Sequence, residues 1–280
     1  MSHIIINGKK ILSDTLCISA YDRGLTLGHG FFETILSNKK SVPLIFYHWS
    51  RLLASADLLG INLPINLDEL KSMIKDLLIT NQLFDAKAAI RLTITDGISE
   101  RGLLSNGQQK PTVILTASRL PETQVKSMTA TIVTTRRNEG SLSSKIKSIS
   151  YLDNILAKKE AVSKGFDEAI LLNSKLHVAE GSISNVFMVK DNIIYTPPID
   201  DGALPGVIRY MIINKLPLDG IEVKEQHISI DMLSNADEIF ISNALMGVKP
   251  INRLDDKLFS GDFFVANLLS DALRNKYDFV

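Results

Sequence analysis

Two lysines, Lys145 and Lys147, stand one residue apart in "SSKIKSIS", just before a helical pattern that begins at Leu152. A lysine amine attacks carbonyl carbons once burial or a neighbouring charge lowers its pKa. In an extended chain both lysines face away from Ile146, so pattern alone leaves them equivalent, and each also reads as a solvated loop cation. Further along, Glu180 closes the run "HVAE" and Gly181 breaks it. That glutamate is either an exposed turn carboxylate or a group that keeps a neighbouring nitrogen protonated. Pro205 and Gly206 lead into a helix at Val207 and Ile208. The free N–H groups and positive dipole end of such a start suit an anion, although Pro-Gly is also an ordinary way to begin a helix. Arg51, in "HWSRLLAS", reads by itself as a surface helix arginine.

Other chemistries lack their residues. The five histidines, His3, His29, His48, His177 and His227, form no HxxxH or HExxH pair, so no metal site is expected. "GLTLGHG" is followed by the strand-like "FFETIL", whereas a dinucleotide loop must open a helix. Neither GxxxxGK[ST] nor GxSxG occurs. Cys17 is the single cysteine, which excludes an intramolecular disulfide and fits a reducing compartment. Thirty-one basic residues balance thirty-one acidic ones, so no global field draws the chain to nucleic acid or to an anionic membrane. No apolar run approaches the roughly 20 residues of a membrane span. A soluble cytoplasmic protein acting on a small molecule is the expectation.

The elements that must position these residues follow from periodicity. "HIIINGKKIL" predicts a hairpin around Asn7-Gly8, and "SAYDRGLTLGHG" a glycine-broken loop before a strand. Residues 47–60 carry Trp49, Leu52, Leu53, Ala56 and Leu59 at helical spacing, with Gly60 as terminator. "LDELKSMIKDLLITNQL" predicts a second helix, and "AKAAIRLTITDG" and "PTVILTASRL" predict strands. "LPETQVKSM" reads as a linker. It separates an N-terminal α/β domain (1–120) from a C-terminal one (127–280) across residues 121–126. Beyond it, "TATIVTTRRN" is a strand. Leu152, Ile155, Leu156 and Val162 share one helical face, with Ser148 or Ser150 as cap and Gly165 as end. Residues 168–196 read as a β-meander. "PGVIRYMIINKL" is a helix, "DEIFISN" a strand and "DFFVANLLSDALRNKY" a closing helix. Helices and strands mix in both halves, giving an α/β (mixed α+β) fold of two layered domains.

"KIKSISYLDNILAKKEA" followed by "DEAILLNSKLHVAEGSISNVF" resembles the fold-type IV pyridoxal-phosphate family. That family includes branched-chain aminotransferase, D-amino-acid aminotransferase and aminodeoxychorismate lyase. The resemblance covers nearly the whole chain, and its most specific motifs lie between residues 147 and 250. It implies a two-domain architecture, pyridoxal 5'-phosphate as cofactor and a homodimer. It picks Lys147, not Lys145, as the lysine that carries the cofactor, with Glu180 at the pyridine nitrogen. It implies that Val207 and Ile208 hold the phosphate through their backbone and that Arg51 reaches the same group.

Within the family, "NALM" at 243–246 resembles the lyases, where aminotransferases carry a segment with a threonine that Ala244 replaces. Phosphate contacts there should therefore come from backbone or from Asn243. "YDRGLTLGHGFFET" and "TDGISERGL" also resemble lyase segments. They imply Thr34 beside the substrate as a catalytic group and Arg101 as partner of a substrate carboxylate. His29 is expected beside Arg101 as a second substrate contact, although His29, Asp96 and Leu103 all depart from that pattern. The implied reaction is elimination of pyruvate from 4-amino-4-deoxychorismate to give 4-aminobenzoate, a folate precursor. A D-amino-acid or branched-chain aminotransferase is the alternative.

Overall fold

The structure is a computed structural model, and it describes residues 2–15, 17–104, 107, 109–121 and 126–279. The chain divides into two compact units, Met1–Glu122 with Lys147–Ser150, and Thr123–Ile146 with Tyr151–Val280. Residues 122–125, the middle of the expected linker, lie outside the described residues. One assignment changes. Lys147 was expected in the C-terminal domain, but its backbone pairs with a strand of the first unit and it packs there.

In the first unit, β1 (His3–Ile6) and β2 (Lys9–Leu12) form the expected hairpin, with Asn7 and Gly8 both at positive φ. Residues 23–27 form a short helix, α1 (Arg23–Leu27), where a loop was expected. The Asp22 side chain caps Gly24 N–H and Gly28 ends the helix in the left-handed region, a cap pair that apolar periodicity does not reveal. Then come β3 (Gly30–Asn38), α2 (Ile45–Leu59), α3 (Leu67–Thr80), β4 (Lys87–Thr95) and β5 (Thr112–Arg119). An Asn66–Glu69 capping box opens α3. The sheet order is β2-β1-β5-β4-β3. Phe31, Ile35, Ile90, Leu92 and Leu115 of the sheet bury against Leu52 of α2 and Leu70, Ile74 and Leu77 of α3. Period-2 alternation in the strands and 3.6-residue spacing in the helices make those faces apolar.

The second unit holds β6 (Met128–Arg137), α4 (Leu152–Ser163), β7 (Glu168–Asn173), β8 (Val178–Gly181), β9 (Asn185–Lys190) and β10 (Ile193–Thr196). It continues through α5 (Val207–Asn214), β11 (Glu222–Glu225), α6 (Ile230–Ser234), β12 (Glu238–Asn243), β13 (Gly247–Leu254), β14 (Lys257–Leu258) and α7 (Phe264–Tyr277). These strands form one sheet, β11-β10-β9-β12-β13-β6-β7-β8, with β14 beside β13. Residues 168–196 therefore make two hairpins, not a continuous meander. β8 and β9 are not laddered neighbours, and a tight Gly181 N–H to Ser184 O bond (2.6 Å) turns the chain between them. Every residue of β7 is buried, as a strand covered on both faces requires. Ile170 and Leu172 enter one core and Ala169 and Leu171 the other.

Helix α4 reverses the expected facing. Leu152, Ile155, Leu156 and Val162 are exposed, while Asn154, Ala157 and Ala161 are buried. The two alanines let the helix lie close on Val133, Ala169 and Leu171, a fit that the larger residues could not make. Neither Ser148 nor Ser150 caps it; Tyr151 stands at the N-cap, and its side chain makes no capping bond to the helix. Gly165, at φ 81°, follows the helix end as expected. Among the described residues no helix is long and apolar enough to cross a membrane.

Candidate active site

β3 is the last strand of the first sheet, and its open edge needs partners. Residues 147–149 supply them: Phe32 N–H donates to Lys147 O (2.9 Å) and Ile149 N–H to Gly30 O (3.2 Å). This pairing half-buries Lys147 and sets its Nζ 4.5 Å from the centroid of the Phe32 ring, a cation–π distance. Lys145 ends a short 3₁₀ turn (Leu142–Lys145), is exposed and pairs with Asp200 at 3.2 Å. The two lysines that pattern left equivalent thus have different surroundings. Thr34 lies two residues beyond Phe32 and shares its strand face; it is half-buried and opposite Arg91 of β4. The Arg91 guanidinium also lies over the Phe32 ring, 3.7 Å from its centroid.

On the opposite face of β3, Glu33 is fully buried. Arg51 of α2 donates to it through Nε (2.7 Å) and Nη2 (2.6 Å), and His48 Nδ1 lies 2.7 Å from the same carboxylate. Burial raises the carboxyl pKa, but the Arg51 charge, the Arg51 bonds and then His48 outweigh it and hold the value at about 2. Burial pushes His48 below its ordinary value against the pull of Glu33, and the charges of Arg51 and Lys147 add to that push. The Nε–Nη2 edge of Arg51 is thus committed within its own unit. Glu33 and His48 were not anticipated. The signal was present: Phe31, Glu33 and Ile35 share a strand face, so a glutamate stands in an apolar row and needs a buried cation.

His29 and Asp96, two departures from the lyase pattern, prove to be neighbours. The Asp96 carboxylate lies 3.0 Å from Arg23 Nε and 3.4 Å from His29 Nδ1. Arg23 Nε also donates to His29 Nδ1 (3.3 Å), so the three side chains form one cluster. Buried Arg23 also donates to Gly102 O (3.0 Å) and Leu103 O (2.6 Å), which pins the loop that carries Arg101. Arg101 itself is exposed and lines a cleft of about 910 Å³ with Tyr21, Arg23, Ile98, Glu100 and Gln109. His29 is therefore tied to Arg23 and Asp96, and Arg101 is the one of the two that faces this cleft.

In the second unit, Glu180 is buried on β8. Its Oε1 lies 3.1 Å from Arg137 Nε, and Leu204 N–H donates to Oε2 at 2.8 Å. Arg137, unmarked in the sequence beside Arg136, is the residue that the motif reading missed. Glu168, fully buried, accepts from Ser182 N–H (3.1 Å), from Ser182 Oγ and from Ser184 Oγ (2.9 Å), and so braces the turn after Glu180. α5 begins at Gly206 with no capping side chain, which leaves the first-turn N–H groups of Val207 and Ile208 to other acceptors. A Cβ on Gly206 would stand 1.9 Å from Asn185 Oδ1, while Asn185 Nδ2 is held by Leu204 O (2.8 Å), so only glycine fits. Asn243 folds onto its own turn, accepting from Leu245 N–H and Met246 N–H (both 2.9 Å). Its neighbour Ser242 is paired in register with Asn185 and keeps a buried Oγ without a hydrogen-bond partner.

Residues 30–254 match the family described as amino-transferase class IV. The chain belongs to the class IV aminotransferase family. It is 33% identical to a protein of Methanocaldococcus jannaschii provisionally named a branched-chain-amino-acid aminotransferase, covering 92% of this chain and 89% of that one. It is equally 33% identical to the aminodeoxychorismate lyase of Bacillus subtilis, over 90% of this chain and 87% of the other. Among solved structures, the branched-chain amino acid aminotransferase of Escherichia coli superposes with a TM-score of 0.89 at 26% identity, covering 99% and 94% of the two chains. The fold of this class IV chain is therefore the fold-type IV one. Its second unit suits a group with an anionic end and a basic ring nitrogen. An uncapped helix start and an orphaned Ser242 hydroxyl are donors for the first, and buried Glu180 is an acceptor for the second.

Proposed function

We propose that this class IV protein is a pyridoxal-phosphate enzyme acting at the amine-bearing carbon of a small amino acid, and that its reaction is transamination. Family membership over residues 30–254 is the observation that carries this reading. The aminotransferases among its relatives favour transamination over elimination. Pyridoxal phosphate, when bound, supplies an electron sink for the pair left when that carbon loses its proton. Lys147 is assigned the amine that would hold the cofactor and the general base for the proton at that carbon. The cation–π contact with Phe32 and the strand pairing at 147–149 hold that amine in place. Glu180 is assigned the proton at the ring nitrogen, with Arg137 Nε 3.1 Å from its Oε1 as the group that positions the carboxylate. Val207 and Ile208 N–H receive the phosphate, with Arg51 as the supporting cation. Arg101, facing the cleft, is assigned the substrate carboxylate.

A second reading is the aminodeoxychorismate lyase. It is favoured by the Asn243–Met246 turn, which carries Ala244 in place of a hydroxyl residue, and by Thr34 on the same strand face as Phe32. In that reaction Thr34 serves the leaving oxygen. One panel separates the readings. Purified protein is supplied with branched-chain L-amino acids or D-alanine plus 2-oxoglutarate, and separately with 4-amino-4-deoxychorismate. Glutamate formation with no 4-aminobenzoate supports transamination, and 4-aminobenzoate without glutamate replaces it with the lyase. A colourless protein that takes up no pyridoxal phosphate, and in which borohydride fixes nothing to Lys147, overturns both.

A further inference from the structure

Three side chains far apart in the sequence meet in the second unit. His177 precedes β8, Asp201 ends a 3₁₀ turn (Ile199–Asp201), and His227 lies between β11 and α6. The Val178 N–H to Ile228 O bond (2.8 Å) sets the two histidine segments side by side. Their rings stack with centroids 4.8 Å apart. Asp201 is buried beneath them, with one carboxylate oxygen 2.8 Å from His227 Nδ1 and the other 3.5 Å from His177 Nδ1. One ligand atom from each residue lies within 4.8 Å of the other two. The expectation that these histidines make no metal site came from local spacing alone, and the fold supplies what the spacing lacks.

We propose that His177, Asp201 and His227 bind a divalent transition metal ion of the zinc type, with water completing the coordination. Two imidazoles and a carboxylate form a donor set for such ions. Ligand bonds of about 2.0–2.1 Å in a tetrahedron place donor atoms about 3.3 Å apart, so the present separations need only small side-chain movements. His177 Nδ1 is buried without a hydrogen-bond partner although it points toward Asp201, which an ion between them accounts for. The supporting shell is built. Asn173 Nδ2 donates to Asp201 Oδ1 (3.0 Å), while Asn173 Oδ1 accepts from His177 N–H (3.0 Å), so one amide orients two ligands. His227, with 60% of its side chain exposed, leaves an entry path. The segment that begins at Asp201 reaches Leu204, whose N–H bonds Glu180, so the ion would clamp the loop that holds that carboxylate.

The test uses the full-length holoenzyme in a Cys17→Ser background, which removes an exposed thiol from competition. Chelator-stripped protein is titrated with ZnCl₂ by calorimetry and with CoCl₂ by its visible d–d bands. One ion per chain is expected, with a higher melting temperature in zinc. His227→Ala and His177→Ala should each weaken binding at least about tenfold, the lower range for loss of even a supporting residue, and abolish the thermal shift. His227→Ala is the safer variant because its side chain is mostly solvated, and circular dichroism with the cofactor's absorbance checks its fold. Sub-stoichiometric binding, or unchanged affinity in folded His227→Ala, overturns the proposal.

Discussion

Glu33 and Glu180 are both buried carboxylates facing an arginine, and they are finished differently. Glu33 takes two bonds from Arg51 and one from His48, so its charge is answered within its own unit. Glu180 has Arg137 on one oxygen and a backbone N–H on the other, and its unit also offers an uncapped helix start and the unpartnered Ser242 hydroxyl. The first arrangement braces α2 against β3. The second leaves donors unanswered, which the proposed cofactor would take up. Burying a charge is tolerable only with a partner, so removing partners at Glu33 should show in stability, and changes around Glu180 should show in cofactor retention.

The sharpest break is at the lysines. Lys147→Ala should lower turnover by about a hundred- to ten-thousandfold or more, whereas Lys145→Ala, which loses only an exposed ion pair, should leave turnover and stability nearly unchanged. Equal loss in the two variants would end the distinction that the strand pairing at 147–149 draws. Next is Arg51→Ala, which leaves Glu33 charged and buried. Urea unfolding should show a loss of about 3–5 kcal/mol, with Arg51→Lys recovering part of it.

Acid tests the same cluster with a smaller effect. The carboxyl pKa of Glu33 falls from 4.5 to about 2 on folding. Its contribution, about 3 kcal/mol, is therefore complete above pH 4.5 and lost as pH falls toward 2. His48, whose pKa is also depressed, adds a loss of stability that starts as pH falls through its ordinary value of 6.5. Melting temperatures of Glu33→Gln should be flatter than wild type between pH 4.5 and 2; equally steep curves would place the acid sensitivity elsewhere. Smallest is Gly206→Ala. Its Cβ would displace Asn185 at the start of α5, and the affinity for pyridoxal phosphate should fall about tenfold, roughly 1.4 kcal/mol, while the protein still folds. Unchanged affinity would detach that helix start from phosphate binding.

Local chemistry made much of this protein legible. Asn7-Gly8 specifies its hairpin because both residues tolerate positive φ, and the helices over 45–59, 67–80, 207–214 and 264–277 follow from the spacing of their apolar residues. The segments "KIKSISYLDNILAKKEA" and "DEAILLNSKLHVAEGSISNVF" were enough to suggest the family to which residues 30–254 belong. Tertiary structure decided what depends on distant residues meeting. It turned the alanine face of α4 inward, because close approach to the sheet there outweighs the transfer of larger side chains. It separated Lys147 from Lys145 by pairing one of them with β3. It also joined His29 to Asp96, Arg137 to Glu180, and His177 to Asp201 and His227. Periodicity records which face of an element is apolar. It holds no information about which polar residue from elsewhere in the chain will arrive beside it.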